Sequence, residues 1–168
     1  MTAAGQINAG SRLTAAMVRG VAPLSAYKNA SEAGTNVTTL HSDNALFIPL
    51  LADAVYDFEL VLGYEGGSLG SSDLKIGWAL PGGATMGYTA YGNTTSGNAT
   101  DGPWYTASST PAFGTNGTST PIGLVASGTI VTSSAAGTMQ LRWAKNSTSV
   151  STLTTVLAGS VLLAWQVQ

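Results

Sequence analysis

Hydrophobic residues recur at every second position through most of this chain. Tyr56, Phe58, Leu60, Leu62 and Tyr64 alternate with Val55, Asp57, Glu59, Val61 and Gly63, which is the period of a strand with one buried face. Gly66-Gly67 then turns the chain. Leu74, Ile76, Trp78 and Leu80 alternate with Asp73, Lys75, Gly77 and Ala79, and Pro81-Gly82-Gly83 ends that run. Met86, Tyr88 and Ala90 form a shorter one before a loop of Asn, Thr, Ser and Gly from Gly92 to Gly102. After the Pro103–Thr120 region come Ile122 to Thr132, Met139/Leu141/Trp143, Leu153 to Leu157, and Val161/Leu163/Trp165/Val167. The pattern predicts about eight or nine strands with turn signals roughly every 8–15 residues. Helices do not alternate with them, so a parallel βαβ sheet is excluded. The expected fold is all-β, an antiparallel β-sandwich of jelly-roll type. The final strand of a jelly roll lies inside a sheet, which places Val161, Leu163 and Trp165 in the expected core.

The first forty residues follow a different rule. The spacing predicts a short helix over Arg12 to Arg19, with Ser11 as its expected cap, Leu13, Ala16 and Met17 at helical spacing and Gly20 as its expected end. A helix this short is marginal alone and needs a surface to pack on. Pro23 and a polar stretch from Ser25 to Asn36 follow. The expected organisation is an N-terminal arm over 1–36 and a sandwich over 37–168.

Composition narrows the function. Gly, Ala, Ser and Thr fill half of the 168 residues, and charged residues only 8 %, against about 25 % in an ordinary soluble domain. A net charge of −2 gives no electrostatic footprint for nucleic acid or an anionic membrane. Cysteine is absent, which removes disulfides and thiolate chemistry. At 44 % hydrophobic residues and a mean hydropathy of +0.21 the chain is not of disordered type. The most apolar stretch, Ala45 to Tyr56, is broken by Pro49 and Asp53, short of the roughly 20 residues that span a bilayer. The opening residues lack a basic start leading into an apolar run, so cytoplasmic synthesis without export is expected. Six N-x-S/T sequons, from Asn29 to Asn146, read as loop composition.

Candidate chemistry is sparse. His41-Ser42-Asp43 holds the three residue types of a hydrolytic triad, but strand neighbours point to opposite faces, and a turn with an incidental histidine is the expected reading. Asp57 and Glu59 share a strand face. As a carboxylate pair they suit glycoside hydrolysis; a cross-strand ion pair with Lys75 explains them more cheaply. Asp43, Asp53, Asp57, Asp73 and Asp101 form no D-x-D run, and the glycine-rich stretches contain no phosphate-cradling motif. No catalytic residue, metal or cofactor is expected. Trp104 and Tyr105, in a loop behind Gly102-Pro103, are expected to pack, buried under the long loop or against a neighbouring subunit, with a sugar-stacking platform as the alternative.

The segment Tyr56–Ala84, with its aromatic-alternating strand, Gly/Ser turn, D-L-K-x-x-W strand and P-x-G-A turn, resembles small β-sandwich head or tail proteins of tailed phages, especially those of actinobacteria. Ala4-Gly5-Gln6 followed by Arg12 to Met17 is similar to their N-terminal stretch. The resemblance implies a trimeric fold like the tumour-necrosis-factor and complement globular-head jelly rolls, and a role as a capsid decoration or minor tail protein. It supplies no catalytic residues. The expected function is a non-enzymatic virion protein that forms a homotrimer on the capsid surface. Its partners are further copies of itself and the major capsid protein, with Arg12, Leu13, Met17 and Arg19 anchoring it to the shell. The rival expectation is a tail or fibre-tip protein that binds host surface glycans through Trp104 and Tyr105. An eight-stranded outer-membrane barrel fits the strand count but calls for a leader and a lipid-facing apolar band, and the sequence shows neither.

Overall fold

The computed structural model describes residues 22–67, 72–99, 102–148 and 152–167. The expected helix over Arg12 to Arg19 lies outside them. The described chain is built of twelve strands: β1 (Leu24–Tyr27), β2 (Glu32–Ala33), β3 (His41–Leu50), β4 (Val55–Glu65), β5 (Leu74–Ala79), β6 (Thr85–Tyr91), β7 (Trp104–Thr106), β8 (Ala112–Phe113), β9 (Ile122–Val131), β10 (Gly137–Lys145), β11 (Thr155–Val156) and β12 (Val161–Gln166). The expected eight or nine are exceeded because β1, β2, β8 and β11 are short pieces carrying little periodicity. Two of these, β1 and β2, belong to the sandwich although the sequence reading assigns them to the arm.

All pairings between these strands are antiparallel. One sheet has the order β1-β12-β4-β9-β6-β7, with β2 and β11 extending it beside β4, and the second has the order β3-β10-β5-β8. The chain passes back and forth between the two, β1 to β3 to β4 to β5, and again β9 to β10 to β12. That interleaving is the jelly-roll pattern the alternation implies.

The alternation in β4 fixes its register. Tyr56, Phe58, Leu60, Leu62 and Tyr64 are each at most 2 % exposed and face Leu46, Ile48, Met139, Leu141 and Trp143 of the opposite sheet within one core. Gly128 of β9 stands directly between Phe58 and Tyr88 in the ladder. A Cβ there would lie 2.6 Å from Tyr88 Cβ, so glycine gives room to the Phe58–Trp78–Tyr88 cluster, whose rings are 5.3–6.3 Å apart. In β12 the expected phase is wrong by one residue. Leu162 and Ala164 are buried, while Val161, Leu163 and Trp165 are half-buried on the outer face. Hydrophobic residues occupy both faces of this strand, so alternation alone does not choose between them.

One polar assembly ties the two sheets together. The β3–β10 register shifts between Gln140, opposite Phe47, and Arg142, opposite Ser42, so Asp43 to Leu46 bulge out of the ladder. The bulge frees backbone donors that need partners. Asp43 Oδ1 accepts from the Ala45 and Leu46 N–H groups, both at 2.9 Å, and Asp43 Oδ2 from Trp143 Nε1 at 3.0 Å. Gln140 Nε2 donates to the Asp43 carbonyl at 2.8 Å. Lys28, one residue beyond β1 and fully buried, reaches this carboxylate from the other sheet with Nζ 3.0 and 2.9 Å from its two oxygens. At the loop end, Thr115 Oγ1 donates to the Gly67 carbonyl, Thr154 Oγ1 to the Ser72 carbonyl, and Asn146 N–H to the Asp73 carbonyl. These bonds hold three connections against one another.

Burial makes the core tyrosines poor acids. It pushes Tyr88 from 10.0 up to about 12. Tyr64, whose hydroxyl donates to the Gly114 carbonyl at 2.9 Å, is raised further by burial and by the charge of Asp73. A group that holds its proton more tightly folded than unfolded contributes stability below its unfolded pKa and loses it as pH rises through the folded value. Stability is therefore expected to be level up to about pH 10 and to fall between about pH 10 and 12. Denaturant titrations across that range, with phenolate absorbance followed in parallel, check this; all six tyrosines ionising together near pH 10 in the folded protein would contradict it.

Candidate interaction surface

Residues that alternate with the core positions line the outer face of the larger sheet, and the register brings five of them into one row. Tyr27 of β1 is opposite Val161 of β12, Val161 opposite Val61 of β4, Val61 opposite Val125 of β9, and Val125 opposite Tyr91 of β6. Directly opposed side chains lie about 5 Å apart, so the row crosses four strand spacings, about 19 Å. It is open to solvent: Tyr27 is 62 % exposed, Tyr91 50 %, Val61 44 % and Val125 41 %. Such a contiguous apolar band on a sheet face is the mark of an interaction site rather than of ordinary surface.

The next row is mixed. It runs Ser25, Leu163, Glu59, Ser127, Thr89 and Trp104. Trp104 belongs to β7 and is 68 % exposed, the most exposed of the large hydrophobic residues among those described. Its ring packs against Gly87 of β6: a Cβ on Gly87 would come 2.2 Å from the ring. Tyr105, next in the strand, turns the other way and packs on Tyr88 with centroids 5.4 Å apart. The pair expected to act together is thus divided between surface and core. Neither sits in a loop, because the pairing with β6 makes a strand of them.

The charges on this face are acidic. Asp57 and Glu59 share it, as their spacing predicts, and Asp57 accepts a hydrogen bond from Thr129 Oγ1 at 3.0 Å. The expected ion pair with Lys75 is not formed. Lys75 is on β5 in the other sheet and donates to the Thr38 carbonyl at 2.6 Å. Arg142 and Lys145 are on β10 of that same sheet, and Lys28 is buried, so among the described residues this face has no basic side chain.

His41-Ser42-Asp43 is neither a triad nor a turn. The three open β3. The His41 ring packs on Trp143 at 4.2 Å, Ser42 is exposed, and Asp43 is fully committed to the buried assembly. Among the described residues no three or more His, Asp or Glu side chains gather as they would around a metal. A shallow apolar pocket of about 310 Å³ opens where the described chain begins, lined by Ala22, Leu24, Pro49, Leu50, Leu51, Tyr56 and Gln166. The anchoring residues expected nearby in sequence, Arg12, Leu13, Met17 and Arg19, lie outside the described residues.

No protein-family model and no curated protein matches the chain. Among solved structures it is similar to the tripod from the baseplate of bacteriophage Tuc2009, at 13 % identity and a TM-score of 0.32, over 98 % of this chain and 75 % of that one. It is also similar to a chain of infectious bursal disease virus strain Gx, at 15 % identity and a TM-score of 0.26, over 86 % of this chain and 38 % of that one. Likenesses at this level establish no shared family, and the functional reading rests on the chain's own residues.

Proposed function

We propose that this chain is a non-enzymatic structural protein of a virion, a capsid decoration protein that assembles as a homotrimer on the capsid surface through the outer face of its larger sheet. The observation that carries the assembly is the exposed Tyr27–Val161–Val61–Val125–Tyr91 row on a face without basic residues. β4 spans 11 residues and the sheet order runs through six strands. That gives a face of about 36 by 24 Å, or about 600–800 Å² once the short edge strands are allowed for, close to the roughly 800 Å² each partner contributes to a standard interface. The virion setting is supported by the resemblance of Tyr56–Ala84 to tailed-phage head and tail proteins and by a surface of hydroxyl and amide groups with few charges. In this reading the segment before Ala22 docks on the major capsid protein after synthesis in the host cytoplasm.

A second reading has its own support. Trp104, packed on Gly87 and two-thirds exposed, offers aromatic surface for sugar stacking, as a minor tail or fibre-tip protein binding host glycans needs.

Val61→Glu combined with Val125→Glu puts like charges into the centre of the proposed contact. Light scattering is expected to show three chains for the natural protein and one for the variant, with an unchanged far-ultraviolet spectrum; a natural protein that stays monomeric at tens of micromolar removes the assembly reading. Removing residues 2–21 is expected to leave the trimer intact and to abolish binding to undecorated capsids, and a truncated protein that still saturates them disposes of the anchor. For the second reading, Trp104→Ala is expected to abolish attachment to host cells while the oligomer persists. No attachment by the natural protein to any host surface argues for decoration alone.

A further inference from the structure

The Lys28 amine is surrounded by more acceptors than it has protons. Its Nζ lies 2.6 Å from Glu32 Oε2, 3.0 and 2.9 Å from Asp43 Oδ1 and Oδ2, and 2.8 Å from Asn44 Oδ1. Three N–H bonds face four oxygens on three groups, two of them carboxylates. Lys28 and Asp43 are both wholly buried, while the Glu32 side chain is 18 % exposed. Contact with both Asp43 oxygens places Nζ within about 3.3 Å of the carboxyl carbon between them, the separation from which attack starts once the amine moves over the carboxyl plane. Asp43 does not depend on Lys28 for its hydrogen bonds. Its Oδ1 has two backbone donors and its Oδ2 has the Trp143 indole, so the carboxyl group is held in place by donors of the kind that stabilise charge on an attacked carbonyl.

We propose that Lys28 and Asp43 become joined by an intramolecular amide bond between the side chains, with Glu32 carrying the protons. Glu32 takes a proton from the ammonium and frees the nitrogen lone pair. Nζ forms a bond to Asp43 Cγ, and the carbonyl π pair moves onto Oδ1, where the Ala45 and Leu46 N–H groups receive it. Glu32 relays that proton, and then a second from nitrogen, to Oδ2. The pair on Oδ1 returns to re-form the C=O bond as the Cγ–Oδ2 bond breaks with its electron pair on oxygen, and water leaves. One ammonium and one carboxylate give one neutral amide and one water, with no oxidant, reductant or other co-reactant.

In the product Oδ2 is gone, and the Trp143 indole N–H that donates to it gives up that acceptor, while the bonding on the other oxygen is kept. Oδ1 becomes an amide oxygen and keeps both backbone donors. Two charges taken out of water at considerable cost are replaced by a neutral group. Water has a short exit, because Glu32 is partly open and Asn44 is exposed. Nζ and Cγ belong to different sheets, so the bond is a covalent clamp across the sandwich at its first crossing.

Intact-mass spectrometry of the purified full chain tests this, allowing for N-terminal methionine removal. The natural protein is expected to be about 18 Da lighter than its sequence, and a denatured digest to give a branched peptide joining the Lys28 and Asp43 segments. Glu32→Gln, which keeps the shape of the site, is expected to fold and to retain the full sequence mass. A natural protein of full mass, with Lys28 freely acetylated after unfolding, would overturn the proposal. A loss of about 17 Da would overturn the assignment to Asp43, since that is ammonia from Asn44. Unimpaired bond formation in Glu32→Gln would overturn the role of Glu32.

Discussion

The approach of Lys28 to Asp43 is the constraint on which the rest of the sandwich is arranged. A buried ammonium and a buried carboxylate are tolerable only with every partner in place, so their meeting fixes several elements at once. The turn after β1 must deliver Lys28 inward, and its backbone is pinned to β12 by Lys28 N–H donating to the Ser160 carbonyl and Gly159 N–H to that of Lys28. On the other side β3 must leave its ladder at Asp43, and Trp143 must present its indole N–H. Hydrophobic contact alone would let the two sheets slide on each other. A charged contact with distances near 3 Å does not.

The larger sheet is built to have two usable faces. Inward, β4, β9 and β6 present aromatic and branched residues that close the core. Outward, the same strands present a row of valines bounded by tyrosines. The period of two that makes the core also makes the row, because residues facing away from the core at every second position line up across strands once the register is set. Core and surface are therefore not independent. A one-residue slip of β9 against β4 would bury Val125 and expose Leu124 and Ala126.

Much of this is legible before any coordinates. The buried faces of β4, β5, β6 and β10 follow from alternation, as do the all-β class and the interleaved sheets. What is not legible depends on neighbours distant in sequence. In Val161–Gln166 both faces carry hydrophobic residues, and only pairing with β1 and β4 decides that Leu162 and Ala164 go inward. Asp43 reads as a turn residue in its local run, since nothing nearby announces that Lys28 and Trp143 will converge on it from 15 and 100 positions away. The row from Tyr27 to Tyr91 is hidden for the same reason. Val61 and Val125 look like the weaker face of two strands, and become a surface only when four registers are combined. Lys75 is the clearest case of a local rule misapplied: it was paired with Asp57 and Glu59 by proximity in sequence, whereas the chain changes sheets between them.

The position of β12 has a kinetic consequence. This last strand does not close an edge; it is inserted between β1 and β4, bonded to both along its length. Until it arrives the larger sheet is split, with β1 unattached and the flank of β4 open. Joining β1 to β12 closes a loop of nearly the whole described chain, the kind of non-local pairing that makes all-β domains slow to fold. Folding of the larger sheet therefore cannot finish before Val161–Gln166 join it. During that interval the unpaired flank of β4 lies open to a neighbouring chain, and copies are most exposed to mispairing just before β12 inserts.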